Sequence, residues 1–442
     1  MANILVLGAG RSSSALIHYL LTNANTFGWN IRVGDISERA ALEAVSGFDH
    51  GEAELFDIKD GAKCKVSINR ADIVISMLPP AYHHLVARHC LDLKKHLLTA
   101  SYVSDEMSVY HSHAVENGLL FLNECGLDPG IDHMSAMQVI DRVKGQGGEI
   151  VSFESFTGGL IDPTSDPDNP WRYKFTWNPR NVVMAGQGTA KYLHNNQYRY
   201  IPYQQLFRQL TEVAVPGAGV FEGYANRDSL KYVTTYGLDG VKSMLRGTLR
   251  YKGFCEAWNI FVQLGCCDDS YQMENVSAMT HRGFISAFLH GEYKENEIAS
   301  RIPAQTGVSS IDALRKLEWS GLFSEELVGL DEGSPAQILE HILAKRWKLS
   351  MGNRDLVVMQ HKFVYKLREK SRTIISNMIS KGDASQTAMA KTVGLPLAIA
   401  AKFLLAGKIQ SRGVVIPVRA EFYEPILGEL KELGISLDER EQ

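Results

Sequence analysis

The 442-residue sequence has few cysteines, and their positions argue against metal binding or disulfide formation. No two of them form a C-x-x-C pair, the spacing that zinc sites and redox motifs commonly use. We therefore expect no metal site, and reduced thiols in a protein of cytoplasmic location. The six cysteines are Cys64, Cys90, Cys125, Cys255, Cys266 and Cys267.

The sequence also lacks the features of a membrane protein or a nucleic-acid-binding protein. No apolar run approaches the roughly 20 residues that a helix needs to cross a bilayer. The run at residues 4–7 stops at Gly8, which is too short for a signal peptide, and no basic segment precedes it. The net charge of −4 gives no electrostatic reason to expect nucleic acid or an anionic membrane as a partner. We therefore expect a small-molecule partner, and about two or three domains at this length.

The first 125 residues alternate short β-rich runs with helical patterns. Strands spaced by helices predict right-handed βαβ units and a parallel sheet, which binds ligands at the carboxyl ends of its strands. The predicted strands are residues 3–7, 30–34, 72–77, 97–100 and 121–122, and the first predicted helix is residues 12–21.

The pattern changes after about residue 130. Residues 150–260 combine strand-like runs, aromatic residues and long loops, which predicts a mixed α/β domain. Residues 384–405 alternate small and apolar residues, so we predict a buried helix pair that packs back onto the first domain. Between these segments the sequence predicts helices at 310–322 and 334–347 and strands at 355–366 and 373–379.

A glycine-rich turn directly after the first strand is the sharpest local motif. Gly8 lets the strand turn tightly, Gly10 lets the backbone approach a pyrophosphate, and the N-terminus of the next helix holds the anion. Ser13 takes the third position of the G-x-G-x-x-G fingerprint, where glycine or alanine is usual. The turn predicts a Rossmann domain with cofactor contacts from Gly8, Ala9, Gly10, Arg11, Ser12 and Ser13.

An acidic residue, Asp35, ends the second predicted strand. A carboxylate at this point accepts hydrogen bonds from the adenosine ribose hydroxyls and repels the additional phosphate of NADP. The alternative is a strand-end aspartate that is merely solvated. We predict NAD in preference to NADP, with NADP as the alternative cofactor.

Two polar segments follow later strands, at the edge where a Rossmann domain binds its ligands. Met77 and Leu78 are expected near the nicotinamide ribose. Ala100, Ser101 and Tyr102 follow the next strand.

Residues 123–133 form a third and denser polar segment. Asp-Pro-Gly is a turn signal, and a turn needs one aspartate. This segment holds Glu124, Asp128, Asp132 and His133 together. We predict a catalytic or binding role for Asp128, and a turn or helix cap for Asp132.

Four basic residues among aromatic neighbours are candidates for binding carboxylates. An arginine binds a carboxylate with a two-donor fork, so a substrate with several carboxylates needs several such groups. The alternative for each is a surface side chain or an ion-pair partner within the protein. The candidates are Lys174, Arg227, Arg246 and Arg250.

Several long motifs, in one order along nearly the whole chain, resemble a known family. The chain is similar to the L-glutamate-forming saccharopine dehydrogenases and to the C-terminal dehydrogenase half of animal aminoadipic semialdehyde synthase. The resemblance is carried by residues 99–102 (T-A-S-Y), 126–133 (G-L-D-P-G-I-D-H), 158–160 (G-G-L), 173–177 (Y-K-F-T-W), 226–229 (N-R-D-S), 246–251 (R-G-T-L-R-Y) and 388–396 (A-M-A-K-T-V-G-L-P).

The resemblance implies a fold and a set of site residues. It implies an α/β protein with a Rossmann domain at 1–130, completed by C-terminal helices at 384–442. A substrate and dimerisation domain at 131–264 and 351–383, a small helical domain at 265–350 and a homodimer are also implied. The implied saccharopine contacts are Ser101, Asp128, Arg227 and Thr248, and the implied cofactor contacts are Asp57, Ile58, Met77 and Leu127. Among the neighbouring motif residues we include Tyr102, Gly158, Lys174, Arg246 and Arg250 as substrate-binding candidates.

Thr157 stands where relatives often have cysteine before G-G-L, so we include it as a substrate contact without any role for that thiol. His83 matches a family histidine in the L-P-x-x-x-H run. It is a second candidate base beside Asp128, with a packing histidine as the alternative.

The implied reaction is the oxidation of saccharopine at the lysine ε-carbon, followed by hydrolysis of the imine to L-glutamate and 2-aminoadipate 6-semialdehyde, or the reverse. Deprotonation of the amine and activation of water need a base, and Asp128 either serves as that base or binds an ammonium group. Two rival functions stay open. An amine or imine dehydrogenase such as carboxynorspermidine dehydrogenase needs acidic groups where this chain has arginines. A non-catalytic protein of the same fold needs none of these motifs.

Overall fold

A computed structural model of the protein describes residues 1–185, 187–291 and 297–442. Helices and strands are numbered in chain order. The strands are β1 (Ala2–Leu7), β2 (Trp29–Asp35), β3 (Gly51–Leu55), β4 (Ile73–Ser76), β5 (His96–Thr99), β6 (Leu120–Leu122), β7 (Glu149–Ile161), β8 (Ala190–His194), β9 (Gln197–Ile201), β10 (Thr211–Val215), β11 (Gly219–Ala225), β12 (Ser243–Tyr251), β13 (Asp355–Leu367), β14 (Lys370–Lys381), β15 (Gly413–Val415) and β16 (Leu437–Glu441). The helices are α1 (Ser14–Phe27), α2 (Glu38–Val45), α3 (Gly61–Asn69), α4 (His83–Asp92), α5 (Asp105–Ser108), α6 (His111–Glu116), α7 (Ile131–Gly145), α8 (Pro179–Val183), α9 (Tyr203–Leu206), α10 (Lys231–Thr235), α11 (Phe254–Leu264), α12 (His281–Ser286), α13 (Ile298–Thr306), α14 (Ile311–Trp319), α15 (Pro335–Trp347), α16 (Ala388–Leu405) and α17 (Ala420–Glu432). Short 3₁₀ helices occur at Arg11–Ser13, Pro80–Tyr82, Pro163–Ser165 and Val276–Ala278.

The chain divides into two compact units. The first unit combines Met1–Gly147 with Gly382–Leu437, so the C-terminal segment returns to the N-terminal one. The second unit combines Gly148–Lys381 with Asp438–Gln442. Residues 265–350 lie inside the second unit, and the division of that unit into two domains stays a prediction.

The first unit is built on a parallel sheet in the order β3-β2-β1-β4-β5-β6-β15. The order 3-2-1-4-5-6 is that of a Rossmann domain, which confirms the predicted fold class. The central strands β1 and β4 are buried on both faces, which explains their continuous apolar sequences. Two strands of this sheet were not predicted. Strand β3 lies at the edge and contains Glu52 and Glu54, and strand β15 has three residues.

The predicted helix pair at 384–405 is wrong, because this segment forms one helix, α16. Pro396 lies inside it and removes one backbone hydrogen bond, a change that usually ends or kinks a helix. The surrounding core supports the helix through this point, since most of its side chains are buried. Within the described residues, α16 is long and apolar enough to cross a membrane, yet 72% of it is buried inside the protein. The expectation that no apolar run approaches this length was therefore also wrong.

The second unit contains a mixed sheet in the order β10-β11-β12-β7-β13-β14-β16, with the β8–β9 hairpin paired to β12. β12 runs parallel to β7, and Thr248 lies opposite Thr157 in this pair. Alternate residues of a strand share one face, so Arg246, Thr248 and Arg250 lie on the same face of β12. The helices of this unit pack around a core rich in aromatic residues, including Trp171, Tyr173, Trp258 and Trp347.

Candidate functional site

The glycine-rich turn has the shape that a pyrophosphate needs. Gly8 has a φ of +103°, and a Cβ there would lie 3.1 Å from the carbonyl oxygen of Met77. A Cβ at Gly10 would meet no atom within 4 Å, so space is open beside the backbone at this point. The Ser13 hydroxyl is buried and donates to the Gly10 carbonyl oxygen at 2.7 Å, so serine at the third fingerprint position stabilises the turn. The residues Gly8, Ala9, Gly10, Arg11, Ser12 and Ser13 therefore fit a nucleotide at the N-terminal end of α1.

Asp35 lies directly beside this turn, at the carboxyl end of β2. Its Oδ2 atom accepts a hydrogen bond from the Ala9 amide at 2.7 Å, and its Oδ1 atom accepts one from the Ser37 amide at 2.8 Å. A carboxylate has about four acceptor positions, so it can accept ribose hydroxyls in addition to these amides. The nearby Arg39 is exposed and pairs with Glu43 at 2.7 Å, one turn further along α2.

The other predicted cofactor contacts belong to the same edge of the sheet. The Met77 amide donates to the Leu7 carbonyl at 2.8 Å, which holds the chain after β4 against the end of β1. Asp57 follows β3 and accepts from the Lys59 amide at 2.9 Å. The side chains of Ile58 and Leu78 pack on the core cluster that includes Leu5 and Leu7, while Ala100 and Leu127 lie in the segments after β5 and β6. Their contact with a cofactor stays a prediction.

Helix α16 packs closely against the start of α1, a support for the cofactor turn that the sequence analysis did not identify. A Cβ on Gly394 would lie 2.9 Å from the Leu16 amide nitrogen and 3.3 Å from the Ser12 carbonyl oxygen. Both neighbours are backbone atoms and cannot move without the turn. This close approach explains the glycine of the T-V-G-L-P motif at 392–396.

We predict that Gly394→Ala weakens nucleotide binding by about tenfold, because the methyl group displaces α1 and the turn before it. Titration of protein fluorescence with reduced nucleotide measures this loss. Gly428→Ala in α17 is the matched control, since a Cβ there meets no atom within 4 Å. Equal dissociation constants for the two variants and the unaltered protein would contradict the role of Gly394.

A buried hydrogen-bond chain connects the ends of β4 and β5 through His83. The Nδ1 atom of His83 lies 2.9 Å from Ser76 Oγ, and its Nε2 atom lies 2.8 Å from Ser101 Oγ. Thr99 Oγ1 lies 3.3 Å from the same Nε2 atom. Burial, and next the charge of His84, lower the pKa of His83 to about 4. The ring is therefore neutral near pH 7, and a group with so low a pKa takes up a proton only weakly, which argues against His83 as the base.

The two aspartates of the D-P-G-I-D motif, in the segment after β6, have different environments. Asp132 is buried and accepts from the Gly130 amide at 2.6 Å, in the turn that begins α7. His133 is also buried and contacts Glu124 Oε2 at 2.8 Å through Nε2. Asp128 is half-buried, and the Tyr102 hydroxyl donates to its Oδ1 atom at 3.4 Å. Asp128 is thus the more accessible of the two aspartates.

The four basic candidates lie in the second unit and have different environments. Lys174 is 6% exposed and donates to Asn353 at 2.8 Å beside Asp166 at 3.3 Å, so its charge is already balanced within the protein. Arg227 is exposed. The substrate roles of all four stay predictions.

The other two arginines are buried against aromatic rings. The Arg250 guanidinium lies 4.9 Å from the centre of the Tyr173 ring and 5.2 Å from that of Phe254. Its Nη1 atom donates to its neighbour's carbonyl, that of Leu249, at 2.8 Å. Arg246 lies 4.1 Å above the Tyr232 ring. The cation–π contacts give both a structural role in addition to any role with substrate.

The remaining predicted contacts are on the β7–β12 pair. Within the described residues, Thr157 Oγ1 is buried without a hydrogen-bond partner, so it has a free position for a polar group of a ligand or a water molecule. Gly158 follows it, where a Cβ would lie 2.8 Å from the Leu249 carbonyl, so the two strands approach too closely for a side chain. Thr248, opposite Thr157, is half-buried.

Two models of one family match the chain in succession, and the second of them spans parts of both compact units. Residues 4–122 match the saccharopine dehydrogenase NADP binding domain, and residues 126–435 match the saccharopine dehydrogenase C-terminal domain. The chain belongs to the saccharopine dehydrogenase family. Membership confirms the family predicted from the sequence motifs and identifies residues 4–122 as a nucleotide-binding domain.

Individual relatives cover the whole chain. It is 31% identical to the NADP(+), L-glutamate-forming saccharopine dehydrogenase of Pyricularia oryzae, over 99% of this chain and 98% of that protein. It is 34% identical to the mitochondrial alpha-aminoadipic semialdehyde synthase of Bos taurus, over 98% of this chain and 47% of that protein, so it spans about half the length of this relative. The structure matches that of the apo L-Glu-forming saccharopine dehydrogenase of Saccharomyces cerevisiae with a TM-score of 0.90 and 30% identity, over 100% of both chains.

Proposed function

We propose that the chain is a saccharopine dehydrogenase that converts saccharopine, water and an oxidised nicotinamide nucleotide to L-glutamate, 2-aminoadipate 6-semialdehyde, the reduced nucleotide and a proton, or catalyses the reverse reaction. The single observation that supports this most strongly is the match to the Pyricularia enzyme over 99% of one chain and 98% of the other. The open turn at Gly10 and the Asp35 carboxylate beside it agree with a nucleotide-dependent reaction.

The side chains supply binding, orientation and proton transfer. When bound, the oxidised nicotinamide supplies a hydride acceptor. Arg227 is exposed, and the two-donor guanidinium group of an arginine suits a carboxylate of saccharopine. Asp128 is the accessible carboxylate of its segment, and it either takes a proton from the amine or binds an ammonium group.

Absorbance in the reduced-nicotinamide band, with saccharopine at alkaline pH, tests this function. We expect reduction of the nucleotide, with glutamate appearing in equal amount. Carboxynorspermidine serves as the polyamine control. A folded protein that reduces neither NAD nor NADP with saccharopine would reject the proposed substrate.

We further propose that NAD is preferred over NADP, although the fungal relatives are named for NADP(+). The argument is the position of Asp35, whose negative charge lies at the end of β2 beside the Ala9 amide. A carboxylate there favours ribose hydroxyls and repels a phosphate. Arg39, the basic residue next along the chain, is paired with Glu43.

We predict that Asp35→Asn lowers the ratio of kcat/KM with NAD to that with NADP by about tenfold, because it removes the negative charge and keeps an oxygen acceptor for the Ala9 amide. Initial rates with both nucleotides measure the ratio. Asp49→Asn, an exposed position after α2, controls for the loss of one negative charge. If the ratio stays the same in Asp35→Asn, the preference is set elsewhere.

A further inference from the structure

The buried chain of groups between Ser76 and Ser101 suggests a role for His83 that differs from proton transfer. Ser76 is the last residue of β4, and Ser101 follows β5. The imidazole lies between their hydroxyls, at 2.9 Å from one and 2.8 Å from the other, and is 5% exposed. These hydrogen bonds therefore connect the fully buried hydroxyl of Ser76 to the half-buried hydroxyl of Ser101, which a substrate can reach.

The partners of the ring are hydroxyls, which hydrogen-bond well to a neutral imidazole. A neutral ring has one N–H donor and one lone-pair acceptor, so it imposes a direction on the hydrogen bonds at its two ends. If Ser76 donates to Nδ1, then Nε2–H donates to Ser101 Oγ. The Ser101 hydroxyl proton is then directed outward, toward an acceptor such as a carboxylate. Thr99 Oγ1 accepts from the Ser101 amide at 3.3 Å and holds the same segment.

We propose that His83 is a positioning residue that, as the neutral Nε2–H tautomer, orients the Ser101 hydroxyl to donate a hydrogen bond to a carboxylate of saccharopine. This assignment rests on the proposed function, because it takes saccharopine as the ligand of Ser101. The low pKa of His83, about 4, agrees with a ring that stays neutral through the working pH range. The proposal removes His83 from the list of bases and leaves Asp128 as the candidate.

A double-mutant cycle between His83 and Ser101 tests whether they act as one unit. We expect His83→Leu and Ser101→Ala each to raise the KM for saccharopine by about tenfold, with a smaller change in kcat. We expect the double variant to stay near the same tenfold rather than reach about a hundredfold, because His83 acts only through Ser101. His83→Gln, whose amide can donate to Ser101, should restore most of the affinity. Additive effects in the double variant would overturn the proposal.

The pH profile separates positioning from base catalysis. If His83 only positions Ser101, the acid limb of kcat stays at the same pH in His83→Gln. Loss of that limb would instead identify His83 as the base. Thermal melting and nucleotide titration of each variant establish that the fold is intact, and His83→Gln replaces His83→Leu in the cycle if the latter does not fold.

Nitrogen NMR of the imidazole gives a readout that needs no turnover. The His83 signals are assigned by their loss in His83→Gln. We expect the neutral Nε2–H tautomer from pH 8 to about pH 5, with a weaker tautomer preference in Ser101→Ala. A protonated ring at pH 6, or the Nδ1–H tautomer, would refute the proposal even if saccharopine is a substrate. If the unaltered protein does not oxidise saccharopine, the proposed function fails while the ring measurement still decides the tautomer.

Discussion

Gly130→Ala should lower the free energy of unfolding by about 4 kcal/mol or more, an effect large enough to prevent stable folding. Gly130 has a φ of +149°, where side chains are rarely tolerated. A Cβ there would lie 2.1 Å from the Gly126 carbonyl oxygen and 2.2 Å from its amide nitrogen. These atoms are held in place, since the Gly126 amide donates to the Pro129 carbonyl at 2.9 Å and the Ile131 amide donates to the Gly126 carbonyl at 2.8 Å.

Urea denaturation, followed by circular dichroism, measures the change in stability. The matched control is Gly145→Ala at the other end of α7, where a Cβ meets no atom within 4 Å. We expect the control to unfold at the same urea concentration as the unaltered protein or at a slightly higher one, because alanine favours a helix over glycine. A Gly130→Ala variant that unfolds together with the control would show that the segment can rearrange without cost. Any folded fraction should have reduced activity, because the same turn sets the position of Asp128.

The sequence was sufficient to predict the part of the fold whose signals are local. Strand β1 is central in a parallel sheet, so both faces are buried and four consecutive apolar residues mark it. Strand β3 is the edge strand beside β2, and its five residues include Glu52, Glu54 and the exposed Leu55, so no continuous apolar run marks it. Helix α16 contains Pro396, which locally predicts a break, and the core around the helix overrides that preference.

The identities of the candidate site residues could be predicted from the sequence, but their contacts with other residues could not. The glycine turn and Asp35 follow each other along the chain, so their proximity follows from the Rossmann pattern. The pairing of Lys174 with Asn353 joins residues 179 positions apart, and no local pattern signals it. The contacts of His83 with Ser76 and Ser101 depend on the alignment of β4 with β5, which sequence alone does not specify.

Arg227→Ala should raise the KM for saccharopine by about thirtyfold, equivalent to about 2 kcal/mol, because the substrate carboxylate loses a charge-assisted, two-donor contact. The backbone at Arg227 supports a dedicated role, since its φ of +49° is unusual for a residue with a side chain. The Lys191 amide donates to the Arg227 carbonyl at 2.8 Å and holds this conformation. Such backbone outliers are often retained at binding sites.

Arg227→Lys separates the effect of the two-donor geometry from the effect of the positive charge. Lysine keeps the positive charge but lacks the planar pair of donors, so we expect an intermediate KM, about tenfold above that of the unaltered protein. Arg199→Ala in β9 removes an exposed arginine of the same unit and should leave KM unchanged. The dissociation constant for the nucleotide should be the same in all three variants, because Arg227 lies outside the nucleotide-binding unit. An unchanged saccharopine KM in Arg227→Ala would remove Arg227 from the carboxylate site and leave Arg246 and Arg250 as the arginine candidates.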